Sequence, residues 1–142
     1  MKRGAVAQWN GDLKGGSGQM SSESGAFSEL AFSFKTRFED EPGTNPEELI
    51  AAAHAGCFSM AFSNELAKDG MNPQSVKTKA TVTLGNDGVG PAVTDIHLDV
   101  HAVVPGADQA AFDEAAQRAK AGCPISKLLR AANITMDAVL EA

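Results

Sequence analysis

The sequence predicts an α+β fold in which antiparallel sheets pack around one long central buried helix. Three patterns support this prediction. The first third of the chain holds short alternating polar and apolar stretches, the middle holds a long helical stretch almost without charge, and two long alternating stretches follow. With 142 residues and 43% apolar content, the chain has the usual size of one domain, so we expect a single domain over 1–142.

Short strands separated by turn residues are predicted for the first third. Alternation is present at residues 5–9 and 18–22, and Asn-Gly and Gly-Gly turn signals lie between them. A third strand is predicted over residues 30–35, from which the chain runs to Arg37 and then into an acidic, turn-rich stretch. We therefore expect Arg37 near a strand end, beside a loop.

One helix is predicted over residues 46–69. Asn45 can cap it, Pro46 suits the first helical position, two glutamates follow at the positive end, and Gly70 can end it. The middle of this segment has almost no charge on any face, which is typical of a helix covered on most sides. We expect it to be the central buried helix.

The pattern of apolar residues in the second half of the chain predicts two long strands, two helices and a final strand. Alternating apolar residues predict strands over 76–84 and 96–104. A helix is predicted from Ala107 to Gly122, a second helix after Pro124, and a final strand over residues 134–140.

Composition narrows the possible partners. The net charge is −6 without any dense cluster of Lys or Arg, so we expect no nucleic-acid partner. No apolar run approaches the roughly 20 residues that cross a bilayer, and the first residues do not resemble a signal peptide. We expect no membrane association and a cytoplasmic location.

The two cysteines, Cys57 and Cys123, differ in what their positions indicate when each is taken alone. Cys57 lies in mid-helix, where a cysteine is by default a small buried apolar residue. Cys123 lies between a helix-ending Gly122 and a helix-starting Pro124, a position where the helix dipole favours a thiolate. If the two elements meet, the pair is a dithiol in which one sulfur attacks a peroxide and the other resolves the sulfenic acid.

A thiolate of this kind needs a nearby cation. Arg37 is the candidate, and Glu47 or Glu48 could orient it through a bidentate pair. Ten residues separate Glu47 from Cys57, which corresponds to about 15 Å of helical rise. If both belong to one site, the carboxylate comes from a second copy of the chain in an isologous dimer. The alternative is that Glu47 and Glu48 only cap the helix.

The three histidines are weaker candidates for functional residues than the cysteines. His54 lies three residues before Cys57 and could assist it, although a hydrogen-bonded core histidine is the favoured interpretation. His97 and His101 fall on the exposed face of a strand, roughly 13 Å apart, and do not form a metal pair. We expect no metal.

The segments that carry these residues resemble the family of osmotically inducible protein C and the organic hydroperoxide resistance proteins. The similar segments are TRFE at 36–39, GTNPEELIAAAHAGCFSMA at 43–61, KAGCPIS at 120–126, WNGD at 9–12 and SSESG at 21–25. Together they span nearly the whole chain. The AHAG stretch and the WNGD segment favour the osmotically inducible branch.

The resemblance implies an intertwined homodimer with a peroxidase site at the subunit interface. It places the attacking cysteine at Cys57, the resolving cysteine at Cys123, the arginine at Arg37 and its carboxylate at Glu47. It also implies reduction of organic hydroperoxides, and less well of hydrogen peroxide, with no bound cofactor and an external dithiol such as a lipoyl group as reductant.

Two other functions stay open at this point. The dithiol could sense oxidation or bind a thiol-reactive small molecule without sustained catalytic turnover of peroxide. Alternatively, both cysteines are structural, in which case alkylating them would change no activity.

Overall fold

A computed structural model describes residues 1–141 of the chain as an α+β protein with two three-stranded sheets. The elements are β1 Ala5–Asn10, β2 Ser17–Ser22, β3 Leu30–Phe32, α1 Phe34–Phe38, α2 Pro46–Lys68, β4 Ser75–Asn86, β5 Pro91–Val103, α3 Gln109–Gly122, α4 Pro124–Leu128 and β6 Asn133–Glu141. The predicted fold class is confirmed. Across residues 1–141 no helix is both long and apolar enough to cross a bilayer.

The chain forms two compact units, residues 1–49 and the residues from Ile50 onward. In the first unit, β1, β2 and β3 form an antiparallel sheet in chain order. Trp9 and Phe32 face each other with ring centroids 5.5 Å apart. Gly18 lies beneath both rings, and a Cβ there would come within 2.5 Å of Phe32 and 2.8 Å of Trp9. Only glycine lets these two rings meet over β2.

The prediction of a strand over 30–35 is wrong after Phe32. The next residue, Ser33, is the N-cap of α1, and its side chain accepts a hydrogen bond from the Thr36 backbone N–H at 3.2 Å. The Thr36 hydroxyl in turn accepts from the Ser33 backbone N–H at 2.9 Å. This reciprocal capping box starts a helix in a segment with strand-like composition. Arg37 consequently lies on a one-turn helix and not at a strand end.

The prediction for α2 is confirmed to within one residue. Asn45 caps the helix, because its side-chain oxygen accepts a hydrogen bond from the Glu48 backbone N–H at 2.9 Å. Pro46 takes the first helical position, and Gly70 lies just beyond the end with a φ of 75°. That left-handed conformation is the usual glycine end of a helix.

Only one stripe of α2 is buried within the described chain. The buried residues recur every four positions and are His54, Phe58, Phe62 and Leu66. The opposite face is exposed and includes Ala52, Gly56 and Met60, the last with 77% of its surface accessible. Within residues 1–141, α2 is therefore buried along one face and is not covered on most sides as the sequence predicted.

The second unit contains the main hydrophobic core. The inward face of β5 is fully buried at Ile96, Leu98, Val100 and Ala102, as its alternation predicted. Phe62 of α2 lies in this core between two other rings, with centroids 5.6 Å from Phe58 and 5.1 Å from Phe112 of α3.

The sheet of the second unit is mixed and not wholly antiparallel. β4 and β5 pair antiparallel, whereas β5 and β6 pair parallel. The prediction of antiparallel sheets is wrong for this last pair. The cause is the intervening α3 and α4, which form a crossover that brings β6 in along the direction of β5.

We predict that Phe62→Ala destabilises the protein by about 3–5 kcal/mol, because it leaves a large cavity among buried rings. Urea unfolding at fixed protein concentration measures this change. Val89→Ala is the control, since Val89 is 96% exposed in the β4–β5 turn. Equal midpoints for the two variants would contradict the assigned core.

Candidate redox site

Cys57 of α2 and Cys123 lie in contact in the second unit. The Cys123 thiol donates to the sulfur of Cys57, with the two sulfurs 2.8 Å apart. A disulfide would bring them to about 2.05 Å, and both cysteines are free. Cys123 is fully buried, whereas Cys57 is partly exposed. The pair is a reduced dithiol that can close into a disulfide with a small movement.

The chain presents Cys123 at the junction of two helices. α3 ends at Gly122, and Cys123 is both the last cap of α3 and the N-cap of α4. Its backbone N–H donates to the carbonyl of Ala119 at 2.9 Å, and its carbonyl accepts from Lys127 at 3.0 Å. Pro124 fixes the first position of α4. The prediction that Cys123 lies at a helix N-terminus is confirmed.

The protein surroundings raise the pKa of the Cys57 thiol. The largest cause is burial, followed by the hydrogen bond that Cys57 shares with the Cys123 thiol and that favours the protonated form, while the backbone N–H of Ile125 donates to the Cys57 sulfur and opposes both. Burial disfavours the charged form of any thiol, and the amide donor favours it. Within a single chain Cys57 is thus biased toward the less reactive thiol, and a cation near its sulfur would reverse that bias.

Arg37 and Glu47 form a bidentate ion pair in the first unit. Arg37 Nη2 donates to Glu47 Oε1 at 2.8 Å, and Nε lies 3.2 Å from both carboxylate oxygens. Glu48 instead accepts a hydrogen bond from the Thr44 hydroxyl at 2.7 Å. Of the two carboxylates considered from the sequence, Glu47 is therefore the partner of Arg37.

The Arg37 guanidinium is engaged along one edge only. A guanidinium has five N–H donors, and in residues 1–141 the Nη1 group makes no hydrogen bond. An apolar cavity of about 260 Å³ adjoins Arg37 and is lined by aromatic side chains that include Trp9, Phe34 and Phe38. The guanidinium carbon lies 5.2 Å from the centre of the Phe38 ring. Arg37 thus offers free donors beside an apolar surface.

His54 is fully buried, three residues before Cys57 on α2. Its Nε2 lies 2.7 Å from the hydroxyl oxygen of Ser126 on α4, and its Nδ1 has no partner in residues 1–141. Burial lowers the pKa of the imidazole. The sequence favoured a hydrogen-bonded core histidine but did not identify Ser126 as its partner. Ser126 lies three residues after Cys123, just as His54 lies three residues before Cys57.

His97 and His101 lie on the outward face of β5, as predicted. His97 Nδ1 pairs with Thr135 at 2.6 Å and Nε2 with Asp137 at 3.2 Å, and His101 pairs with Glu141 at 2.8 Å. Ligand atoms of His97, Asp99 and Asp137 lie within 4.8 Å of one another. Both ring nitrogens of His97 already have partners on β6, so these contacts link the strands.

The structure therefore brings the predicted site residues together in two pairs. Arg37 and Glu47 pair within residues 1–49, and Cys57 and Cys123 pair within the residues from Ile50 onward.

A partly exposed thiol in contact with a buried one at a helix junction defines the chain as a dithiol redox protein. The profile of the family described as OsmC-like protein matches residues 38–138. The chain is also 50% identical over 136 residues to Peroxiredoxin OsmC of Escherichia coli strain K12, covering 96% of this chain and 94% of that one. It belongs to the OsmC-like family.

Other relatives and solved structures agree with this assignment. The organic hydroperoxide resistance protein of Xanthomonas axonopodis pv. citri is 34% identical over 89 residues, 62% of this chain and 61% of that one. An organic hydroperoxide resistance protein from Elizabethkingia anophelis has the same fold, with a TM-score of 0.77 at 21% identity over 99% of this chain and 97% of that one. An OsmC-like protein from Vibrio cholerae also gives a TM-score of 0.77, at 18% identity over 98% and 99%.

We predict that iodoacetamide alkylates Cys57 before Cys123 in the native reduced protein, because only Cys57 reaches the surface of the chain. Peptide mass spectrometry at timed intervals measures the order. In urea the two rates should become similar, which serves as the control. Faster native labelling of Cys123 would contradict the assigned burial.

Proposed function

We propose that this chain is a cysteine-based peroxidase that reduces organic hydroperoxides with Cys57 as the attacking thiolate. The observation that carries the proposal is the contact between the sulfurs of Cys57 and Cys123 at 2.8 Å. Membership of the OsmC-like family supports it, since the curated relatives are named as a peroxiredoxin and as organic hydroperoxide resistance proteins.

The first step oxidises Cys57. Its thiolate attacks the terminal oxygen of the hydroperoxide, so that an S–O bond forms as the O–O bond breaks. The leaving alkoxide takes one proton and departs as the alcohol. Cys57 becomes a sulfenic acid, and the peroxide has been reduced by two electrons.

The second step uses Cys123 as the resolving residue. Its sulfur attacks the sulfur of the Cys57 sulfenic acid, which forms the disulfide and breaks the S–O bond. The hydroxide that leaves takes the Cys123 proton and becomes water. Because the thiols start in contact, this step competes well with a second peroxide that would overoxidise Cys57.

Arg37 supplies the charge that the first step needs. With Nε and Nη2 held by Glu47, its free Nη1 group can donate to the Cys57 thiolate and to the developing charge on the peroxide oxygen. We assign this Arg37 to a second copy of the chain, because Glu47 and Cys57 are separated by about 15 Å of rise along α2. The active site then lies at the interface of a homodimer.

The exposed face of α2 suits such a dimer. Ala52, Gly56 and Met60 form a strip of small or apolar residues without charge, and a Cβ at Gly56 would meet nothing within 4 Å in its own chain. Two copies of this face are self-complementary in an isologous pair of helices, and small residues let the backbones approach closely. Interchange of strands between the copies is the intertwined form that the family resemblance implies.

The apolar cavity beside Arg37 supports an organic substrate. Its aromatic lining would bury the carbon portion of a hydroperoxide, while the guanidinium would bind the peroxide group. Hydrogen peroxide has no carbon portion to bury, so we expect it to be the poorer substrate.

An external dithiol completes the cycle. Its thiolate attacks the disulfide at Cys57, the more exposed sulfur, and its second thiol releases the enzyme as two free thiols and a cyclic disulfide. A lipoyl group has this chemistry, and no bound cofactor is then required. Free cysteines of this kind fit a reducing, cytoplasmic location.

We predict that cumene hydroperoxide is consumed catalytically with dihydrolipoamide by the wild-type protein and not by Cys57→Ser. Cys123→Ser should react about once per chain and then accumulate sulfinic acid, because no thiol resolves the sulfenic acid. Steady-state peroxide loss and intact-mass measurement follow the two effects. Equal behaviour of all three proteins would favour a sensing or structural role for the cysteines.

We predict that Arg37→Ala raises the pKa of Cys57 and nearly abolishes turnover, because removal of a cation disfavours the thiolate. Arg118→Ala is the matched control, since Arg118 makes a similar ion pair with Glu65 and Asp69. The pH dependence of iodoacetamide reactivity and steady-state peroxide loss measure these effects.

A mixture of variants tests the origin of Arg37. When the inactive Arg37→Ala and Cys57→Ser chains are refolded together, each mixed dimer contains one site with both residues intact, so about a quarter of wild-type activity should return for random pairing. No recovery, with mixed dimers present by native mass spectrometry, would place Arg37 and Cys57 of one site on the same chain.

A further inference from the structure

Two residue pairs link α2 to the first turn of α4. Cys57 meets Cys123 with their sulfurs 2.8 Å apart, and His54 meets Ser126 with Nε2 and Oγ 2.7 Å apart. His54 precedes Cys57 by three residues, and Ser126 follows Cys123 by three. The second pair is thus placed one helical turn from the first on both elements.

The α4 helix depends on such contacts for its position. It has five residues, its N-cap makes no side-chain hydrogen bond, and its one buried residue is the polar Ser126. A helix this short is not stable alone, so tertiary contacts must hold it. Ile125 and Leu129 are only partly buried against the core, and Leu128 is 74% exposed.

The partner of Ser126 is itself well fixed. His54 is fully buried on α2, a 23-residue helix capped at its start, and lies in the same buried stripe as Phe58. A hydrogen bond between two buried groups is directional, and losing one partner leaves the other unsatisfied. The imidazole therefore holds Ser126 in one place more strictly than apolar packing would.

We propose that His54 and Ser126 form a clamp that keeps the first turn of α4 on α2, so that Cys123 stays at the Cys57 sulfur throughout the redox cycle. This inference rests on the proposed peroxidase function. The clamp itself neither gains nor loses electrons, so it persists while the sulfurs pass from thiols to sulfenic acid to disulfide. Both residues are positioning residues, because they act through the cysteines.

The clamp should act mainly on the second chemical step. Attack of Cys123 on the sulfenic acid needs the two sulfurs aligned, and a misplacement of about 1 Å can slow such a step by as much as about 100-fold. Attack of Cys57 on the peroxide needs no movement of Cys123. Loosening α4 should nevertheless raise the pKa of Cys57, because the Ile125 N–H that favours its thiolate would be less well placed.

The experiment compares Ser126→Ala, His54→Leu and His54→Gln with the wild-type protein. Glutamine places an amide near the position of Nε2, so it can keep the hydrogen bond to Ser126 without a titrating ring. Ser59→Ala is the matched control, because it removes a serine hydrogen bond of 2.8 Å between α2 and Thr78 that does not involve α4. Rapid mixing with cumene hydroperoxide gives the rates of sulfenic acid and disulfide formation in one sample.

We expect Ser126→Ala and His54→Leu to slow disulfide formation by about tenfold or more and to raise the yield of sulfinic acid. Sulfenic acid formation should change less, and the pKa of Cys57 from iodoacetamide reactivity should rise. Ser59→Ala and His54→Gln should resolve at close to the wild-type rate. The ratio of the two rates does not depend on the folded fraction, so partial unfolding of a variant does not imitate the effect.

Wild-type resolution in Ser126→Ala would overturn the clamp. So would equal slowing in His54→Gln and His54→Leu, which would assign the effect to the imidazole and not to the hydrogen bond. Diamide separates this failure from failure of the peroxidase function, since it oxidises adjacent thiols without a peroxide. A wild-type protein that ignores peroxide while Ser126→Ala closes its disulfide slowly with diamide would refute the function and retain the clamp.

Discussion

The contact between α2 and the first turn of α4 is the constraint on which the chemistry depends. It brings a mid-helix cysteine against a cysteine 66 positions later and places the Ile125 N–H at the same sulfur. Neither cysteine has a dithiol partner within its own helix. The core around Phe62 fixes one side of this contact, and the turn from Gly122 to Pro124 fixes the other. The fold therefore forms the site by holding α2 and the first turn of α4 in contact, so that the two cysteines meet.

Burial protects this dithiol from outside reagents but lowers the reactivity of Cys57 by raising its pKa. A buried Cys123 is shielded from outside thiols and oxidants, and a partly buried Cys57 has a raised pKa for the same reason. The Ile125 N–H offsets part of this effect, and a cation must supply the rest. Arg37, with one edge of its guanidinium held by Glu47 and the other free, is the cation that we propose for that task. A site divided between a thiol pair and an ion pair can be completed by association of two chains.

Local signals in the sequence predicted most helices and strands. They could not predict which residues far apart in the sequence come into contact. The cap at Asn45 and the glycine at position 70 give the bounds of α2, because those residues act within one turn. The capping box of Ser33 was missed because its partner is a threonine, in a segment whose composition favours a strand. The parallel pairing of β6 and the bond between His54 and Ser126, 72 positions apart, arise only from tertiary structure. Charge alone allowed Arg37 to pair with either Glu47 or Glu48, the family resemblance pointed to Glu47, and the structure has the ion pair with Glu47.

The uncharged middle of α2 supports the homodimer that we propose. One buried stripe needs apolar residues only every three or four positions, yet the opposite face also lacks charge at Ala52, Gly56 and Met60. An exposed helix face in a chain of net charge −6 would ordinarily carry acidic or basic side chains. Gly56 precedes Cys57, so a second helix packed on this face would exclude water beside the thiol. That exclusion would strengthen the interaction of Cys57 with any cation brought by the partner, which links the composition of α2 to the reactivity of its cysteine.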